Sequence, residues 1–202
     1  PHMPVDFGAL GCDFLAFSGH KLYGPMGIGA LVGRPERLEE MEPYQGGGEM
    51  IDQVTLHGAT YAAPPTRFEA GTPNAAGAIG MAAAVRYLQR LGIERVRRHG
   101  VKLTAYALDR LRNAADLRVF GPLDPGERSA LVSFLDDEMH PHDLTALLDA
   151  KGIAVRAGHH CAQPLHEHIG AAATTRASFG LYNDENDVDR LVEAILDARR
   201  MF

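Results

Sequence analysis

The sequence predicts an α/β protein, and three observations carry that prediction. Short apolar runs bounded by glycines read as strands. A long stretch from Ala75 has helical spacing of its apolar residues, and the last hundred residues alternate helix-like and strand-like segments. The 202 residues suffice for one large domain or two small ones, and a hydrophobic fraction of 46% excludes a largely disordered chain. A net charge of -6 gives no reason to expect nucleic acid or an anionic membrane as partner. No apolar run reaches the length of a membrane span and no signal peptide opens the chain. Cys12 and Cys161 make no disulfide framework, so the reducing cytoplasm is the expected location.

In chain order, Asp13 to Phe17 reads as a buried strand between Gly11 and Gly19, and Ile28 to Val32 as a second strand after a glycine turn. Gln45-Gly46-Gly47-Gly48 opens a segment read as a flexible loop through Pro64-Pro65. From Ala75 a helix places Ile79, Ala82, Ala83, Tyr87 and Leu88 on one face and stops at Gly92. Another runs from Ile93 to Leu111, with Val96, Leu103, Ala107 and Leu111 apolar. Leu117 to Phe120 and Leu131 to Phe134 read as strands. Pro141 starts a helix that Gly152 closes, and Ile153-Ala154-Val155 is a strand leading into Arg156 and the His159-His160-Cys161 segment. Thr174 to Phe179 is a strand, and Asn183 caps a last helix whose inner face carries Val188, Leu191, Ile195 and Leu196. The natural division falls into residues 1–86 and a small α/β domain over residues 87–202.

Two stretches carry chemistry. Ser18-Gly19-His20-Lys21 sets an amine just past an apolar strand, with hydroxyl and imidazole neighbours, as Schiff-base chemistry requires if water is kept away. No Gly-Lys-Ser/Thr follows a four-residue spacer, which excludes a phosphate-binding P-loop. Cys161 lies among His159, His160 and Arg156, neighbours that favour the nucleophilic thiolate. A structural zinc site needs four ligands at regular spacings, and one cysteine beside adjacent histidines does not supply them, so no metal is expected. Arg176 is either a surface charge or a planar fork for a carboxylate. Thr72, in Gly71-Thr72-Pro73-Asn74, precedes a helix start where capping or phosphate binding are both available.

Taken together and in order, Asp13 to Pro25, Gly46 to Ile51, Arg67 to Asn74, Arg156 to Pro164, and Arg176-Ala177-Ser178 with Tyr182-Asn183 resemble the group II, SufS-type cysteine desulfurases. These are fold-type I pyridoxal-phosphate enzymes of the class V aminotransferase-like family. The resemblance implies the C-terminal half of such an enzyme. Residues 1–86 would be the later part of the large cofactor-binding domain and residues 87–202 the small C-terminal domain. It implies pyridoxal 5'-phosphate as cofactor, carried by Lys21, with Ser18 and His20 on the phosphate and Thr72 reaching the phosphate of the partner subunit in a homodimer. Arg176 would bind the substrate carboxylate with Arg156 nearby. Cys161 would take sulfur from L-cysteine, leaving alanine and an enzyme persulfide for a Suf-type acceptor in iron–sulfur cluster assembly. The same motifs suit a selenocysteine lyase or cysteine sulfinate desulfinase, and a chain lacking the other half also suits a non-catalytic fragment.

Overall fold

The computed structural model describes residues 1–201 and divides into two compact units, Met3–Ile93 and the residues from Glu94 on. The boundary expected at 86/87 falls inside a helix, α3, that runs unbroken over Ala75–Leu91, which is why the units part after it.

The first unit holds a short helix α1 (Phe7–Leu10), strands β1 (Phe14–Ser18) and β2 (Gly29–Gly33), helix α2 (Pro35–Glu40), strands β3 (Ile51–Thr55) and β4 (Gly58–Tyr61), and α3. β1 and β2 pair antiparallel from Phe14 opposite Gly33 to Ser18 opposite Gly29. The strand expected to be buried is instead exposed: Phe14 is 40% and Phe17 36% accessible. The reason is that β1 and β2 form a sheet of two strands, which cannot bury both of its own faces. The segment read as a loop contains the β3–β4 hairpin, turning at Thr55-Leu56-His57-Gly58. Polar Asp52, Gln53 and Thr60 hide the strand alternation that would have revealed it. The glycine run before it packs backbone to backbone on Gly71, whose N–H donates to the Gly48 carbonyl at 2.9 Å.

α3 begins at Asn74, whose side chain accepts from the Gly77 N–H and donates to the Gly27 carbonyl, tying the helix start to the turn before β2. Its buried positions are Gly77, Ala84 and Leu88. Ile79 and Tyr87, expected on the inner face, are exposed at 68% and 41%. Arg67 ties the unit together by donating from its guanidinium to the carbonyls of Glu39, Met41 and Ala62.

In the second unit, α4 (Ile93–Asp109, its first residue assigned to the first unit) continues into a π-helical turn, Arg110–Ala114. Then come β5 (Arg118–Phe120), β6 (Leu131–Leu135), α5 (Pro141–Ala150), β7 (Arg156–Gly158), α6 (Gln163–His168), β8 (Thr174–Ser178) and α7 (Glu185–Arg199). The strand expected at residues 153–155 lies just after them, at β7. The antiparallel sheet has the order β5-β6-β8-β7. Val132 and Phe134 of β6 and Ala177 of β8 face a core completed by Leu103, Leu111, Leu144, Leu148, Val188 and Ile195. Alternation sends Ser133, Thr174 and Arg176 to the other face of the same strands. The cap of α7 is Asp184, not Asn183. Its carboxylate accepts from the Asn186 and Asp187 N–H groups, and Asp187 answers in a capping box. Asn183 accepts from the Gly180 N–H and donates to Asp187.

Candidate active-site residues

In the first unit the chain leaves β1 into a 3₁₀ turn, Gly19–Leu22, which carries His20 and Lys21 directly after Ser18. Gly19 is buried. A Cβ there would stand 2.8 Å from Ile28 Cγ2 and 3.1 Å from the Pro25 carbonyl, so only glycine lets the turn close this tightly. The Gly24 N–H donates back to the Gly19 carbonyl at 2.9 Å, and Gly80 of α3 approaches Pro25 from the other side. Lys21 and His20 are exposed and Ser18 half-buried. The water-poor lysine environment expected from the sequence is not present within this chain, for the same reason that β1 is exposed. Thr72 does not join this turn; it lines a cavity of about 320 Å³ with Glu49, Thr66, Glu69, Gly71 and Pro73.

The second unit brings three sequence-predicted residues together. Arg156 and Arg176 are direct cross-strand partners in β7 and β8, so their side chains leave the same face of the sheet. Arg156 Nη2 donates to Cys161 Sγ at 3.5 Å. Burial, the largest cause, and the charge of Arg156 lower the pKa of Arg176, while Cys161 acts in the opposite sense. The buried Nε of Arg176 has no hydrogen-bond acceptor among the described residues. Like charges set opposite each other in a ladder destabilise it unless an anion lies between them. The arrangement sets two guanidinium groups, one with an unpartnered buried N–H, beside a thiol.

Behind Cys161 is a group that the sequence reading did not find. His160 Nε2 lies 2.9 Å and His166 Nε2 3.1 Å from the same hydroxyl, Thr174 Oγ1. His166 also approaches the Ala162 carbonyl through Nδ1 at 3.1 Å. Thr174 is fully buried and His166 is 5% exposed. His166 appears in the sequence only as one of several crowded histidines, and Thr174 carries no motif; three-dimensional proximity alone reveals the pair.

The His160 pKa is pushed down to about 4, chiefly by burial, then by the basic neighbours Arg176, His166 and Arg156. In the unfolded chain this imidazole takes up a proton near pH 6.5, whereas in the fold it waits until about pH 4. The unfolded state therefore binds more protons across that window, and stability present above pH 6.5 is lost as pH falls toward 4. Melting temperatures of the wild type and His160→Gln, measured from pH 7 to pH 4.5, are expected to converge as pH falls. Parallel curves would contradict this assignment.

The aminotransferase class-V family pattern matches residues 1–191. The chain belongs to the aminotransferase class-V family. A probable cysteine desulfurase of Streptomyces coelicolor is 50% identical over 202 residues, which are all of this class-V chain and 48% of that protein. The crystal structure of the Escherichia coli cysteine desulfurase CsdA, in an S-sulfonic acid form, superposes with a TM-score of 0.93 at 44% identity, covering 100% of this chain and 49% of that one. A variant of C-DES with glycine covalently linked to its PLP cofactor gives a TM-score of 0.81 at 25% identity, over 97% of this chain and 49% of that one. The class-V chain thus has the fold of these pyridoxal-phosphate-dependent fold-type I proteins and spans about half the length of the relatives it matches. No helix among its described residues is long and apolar enough to cross a membrane.

Proposed function

We propose that this chain is part of a pyridoxal-phosphate-dependent cysteine desulfurase and contributes both its lysine and its sulfur-accepting cysteine. The observation that carries the reading is the Arg156–Arg176 pair beside Cys161, since an unmet anion clamp next to a thiol suits an amino acid with a carboxylate at one end and sulfur at the other. The turn after β1 fits the cofactor by its donor set: an amine for a carbonyl carbon, and a hydroxyl and an imidazole for phosphate oxygens, held on a backbone that only glycine permits. Pyridoxal phosphate, when bound, supplies the electron sink for cleavage at the substrate's β-carbon.

The chain's residues do the rest. Lys21 holds the cofactor and moves protons at its Nζ, with Ser18 and His20 on the phosphate. Arg176, helped by Arg156, orients the substrate carboxylate. The Cys161 thiolate attacks the sulfur of L-cysteine; that carbon–sulfur bond breaks, a sulfur–sulfur bond forms on Cys161, and the carbon takes up a proton to leave as L-alanine. Arg156, within 3.5 Å of Sγ, favours the thiolate. The persulfide sulfur passes to a Suf-type acceptor for iron–sulfur cluster assembly. The working unit in this reading is a cytoplasmic homodimer in which Thr72 of one chain reaches the partner's cofactor phosphate. The exposed apolar residues of the first unit, among them Phe14, Phe17, Leu31 and Val32, support a second covering segment.

Incubating pyridoxal phosphate with the chain, paired with the remainder of the length its relatives have, is expected to give a visible absorbance band and sulfide release from cysteine. Lys21→Ala should abolish both. A band of full strength in Lys21→Ala would refute the lysine's assignment.

A further inference from the structure

Cys161 stands in an unusual piece of backbone. His160 and Cys161 are consecutive non-glycine residues in the left-handed region, with φ of 55° and 63°. Such conformations are costly for residues with a Cβ and persist only where the surroundings hold them. The Ala162 N–H closes the turn onto the His159 carbonyl at 2.8 Å, but that bond alone does not select the direction of residue 160.

The imidazole of His160 is held by a hydrogen-bond chain whose direction follows from proton counting. The Ala162 carbonyl only accepts, so the proton of His166 is on Nδ1 and, in the neutral ring, its Nε2 is an acceptor. The Thr174 hydroxyl has one proton and gives it to that Nε2. Its oxygen is then left to accept, and the donor offered to it among the described residues is His160 Nε2–H. With both rings neutral, the order is His160 Nε2–H to Thr174 Oγ1–H to His166 Nε2, ending with His166 Nδ1–H on Ala162. His160 Nδ1 is then the bare nitrogen, and it is buried with no donor facing it among the described residues. Arg176, His166 and Arg156 each disfavour a proton on His160.

We propose that the His166–Thr174–His160 chain is a positioning device for the nucleophile: it locks His160 as the Nε2–H tautomer in a left-handed turn and so aims Cys161 at Arg156. Thr174 and Arg176 are two apart on the same face of β8, so one strand supplies both the anchor of the turn and half of the anion clamp. The ends of the hydrogen-bond chain lie at residues 160 and 162, one on each side of the cysteine, so the turn is pinned across Cys161 itself.

This inference rests on Cys161 being the nucleophile, but its test needs no turnover. In the chain carrying Cys12→Ser, so that Cys161 is the single thiol, imidazole ¹⁵N shifts should show His160 protonated at Nε2 and neutral at pH 6. A protonated Nδ1 in that chain overturns the proposal, whatever the substitutions at residue 174 show. The pH dependence of iodoacetamide alkylation reads the thiol directly. Thr174→Val should slow alkylation at neutral pH by about tenfold and move its midpoint upward, because the thiolate loses a charge-assisted contact with Arg156. Thr174→Ser, which keeps the hydroxyl, should restore the wild-type profile. Thr174→Val with an unchanged profile overturns the proposal. Intact tautomer and alkylation results with no sulfide release would instead count against the functional reading alone.

Discussion

Cys161→Ser is expected to lower cysteine-dependent sulfide release of the assembled enzyme by about three orders of magnitude while leaving the cofactor's absorbance in place. A serine hydroxyl at neutral pH is almost wholly protonated and cannot accept sulfur as a persulfide, so the nucleophilic step loses its acceptor. The substitution changes one atom on an exposed side chain, so folding costs little and the loss belongs to the chemistry. Arg156→Gln should act on the same step less severely, since it removes the donor 3.5 Å from Sγ but leaves the thiol. The decisive measurement is alanine and sulfide formed per mole of bound cofactor. Cys161→Ser with wild-type turnover would falsify the assignment of the nucleophile.

Arg199→Ala is expected to destabilise the second unit by about 3 kcal/mol. Arg199 Nε donates to Asp136 Oδ2 at 2.7 Å, and the Asp136 side chain is wholly inaccessible while that of Arg199 is 23% exposed. Asp136 sits just after β6, where its other carboxylate oxygen accepts from the Glu138 N–H. Removing the guanidinium leaves a carboxylate in the interior with one remaining hydrogen bond, and the cost of that burial is no longer offset. The partial exposure of the arginine places the expected loss at the lower end of the range for broken buried pairs. Urea unfolding followed by far-ultraviolet circular dichroism reads the change, with Lys151→Ala as control. Lys151 also makes a 2.7 Å ion pair, to Asp197, but both side chains are well exposed, so its loss should be small. Equal effects from the two substitutions would show that burial does not govern the Asp136 pair.

The second unit is the more legible half of the sequence. Val96, Leu103, Ala107 and Leu111 repeat at helical spacing and are all buried. Pro141 marks the α5 start, and Val188, Leu191 and Ile195 line the inner face of α7. These signals are local and agree with the core, because each helix buries one face against a sheet in the same stretch of chain. The first unit reads less well. Its apolar pattern at Phe14, Phe17, Ile79 and Tyr87 predicts burial that the unit does not provide, since no layer within it covers both faces of β1 and β2. The hairpin at residues 51–61 carries no sequence signal because its exposed strands need no hydrophobic alternation.

For the candidate site, the residue types and their order along the chain were legible: Lys21 after a strand, Cys161 among basic neighbours, and Arg176 on a late strand. Spacing in sequence says nothing about cross-strand register, which makes Arg156 and Arg176 direct partners only once β7 pairs with β8. The same register puts Thr174 between two imidazoles from residues 160 and 166. Composition and local periodicity therefore specify which reactive groups the chain owns and which helices carry the second unit's core. Strand pairing decides which of those groups meet, because a contact across a sheet joins residues that local sequence holds apart.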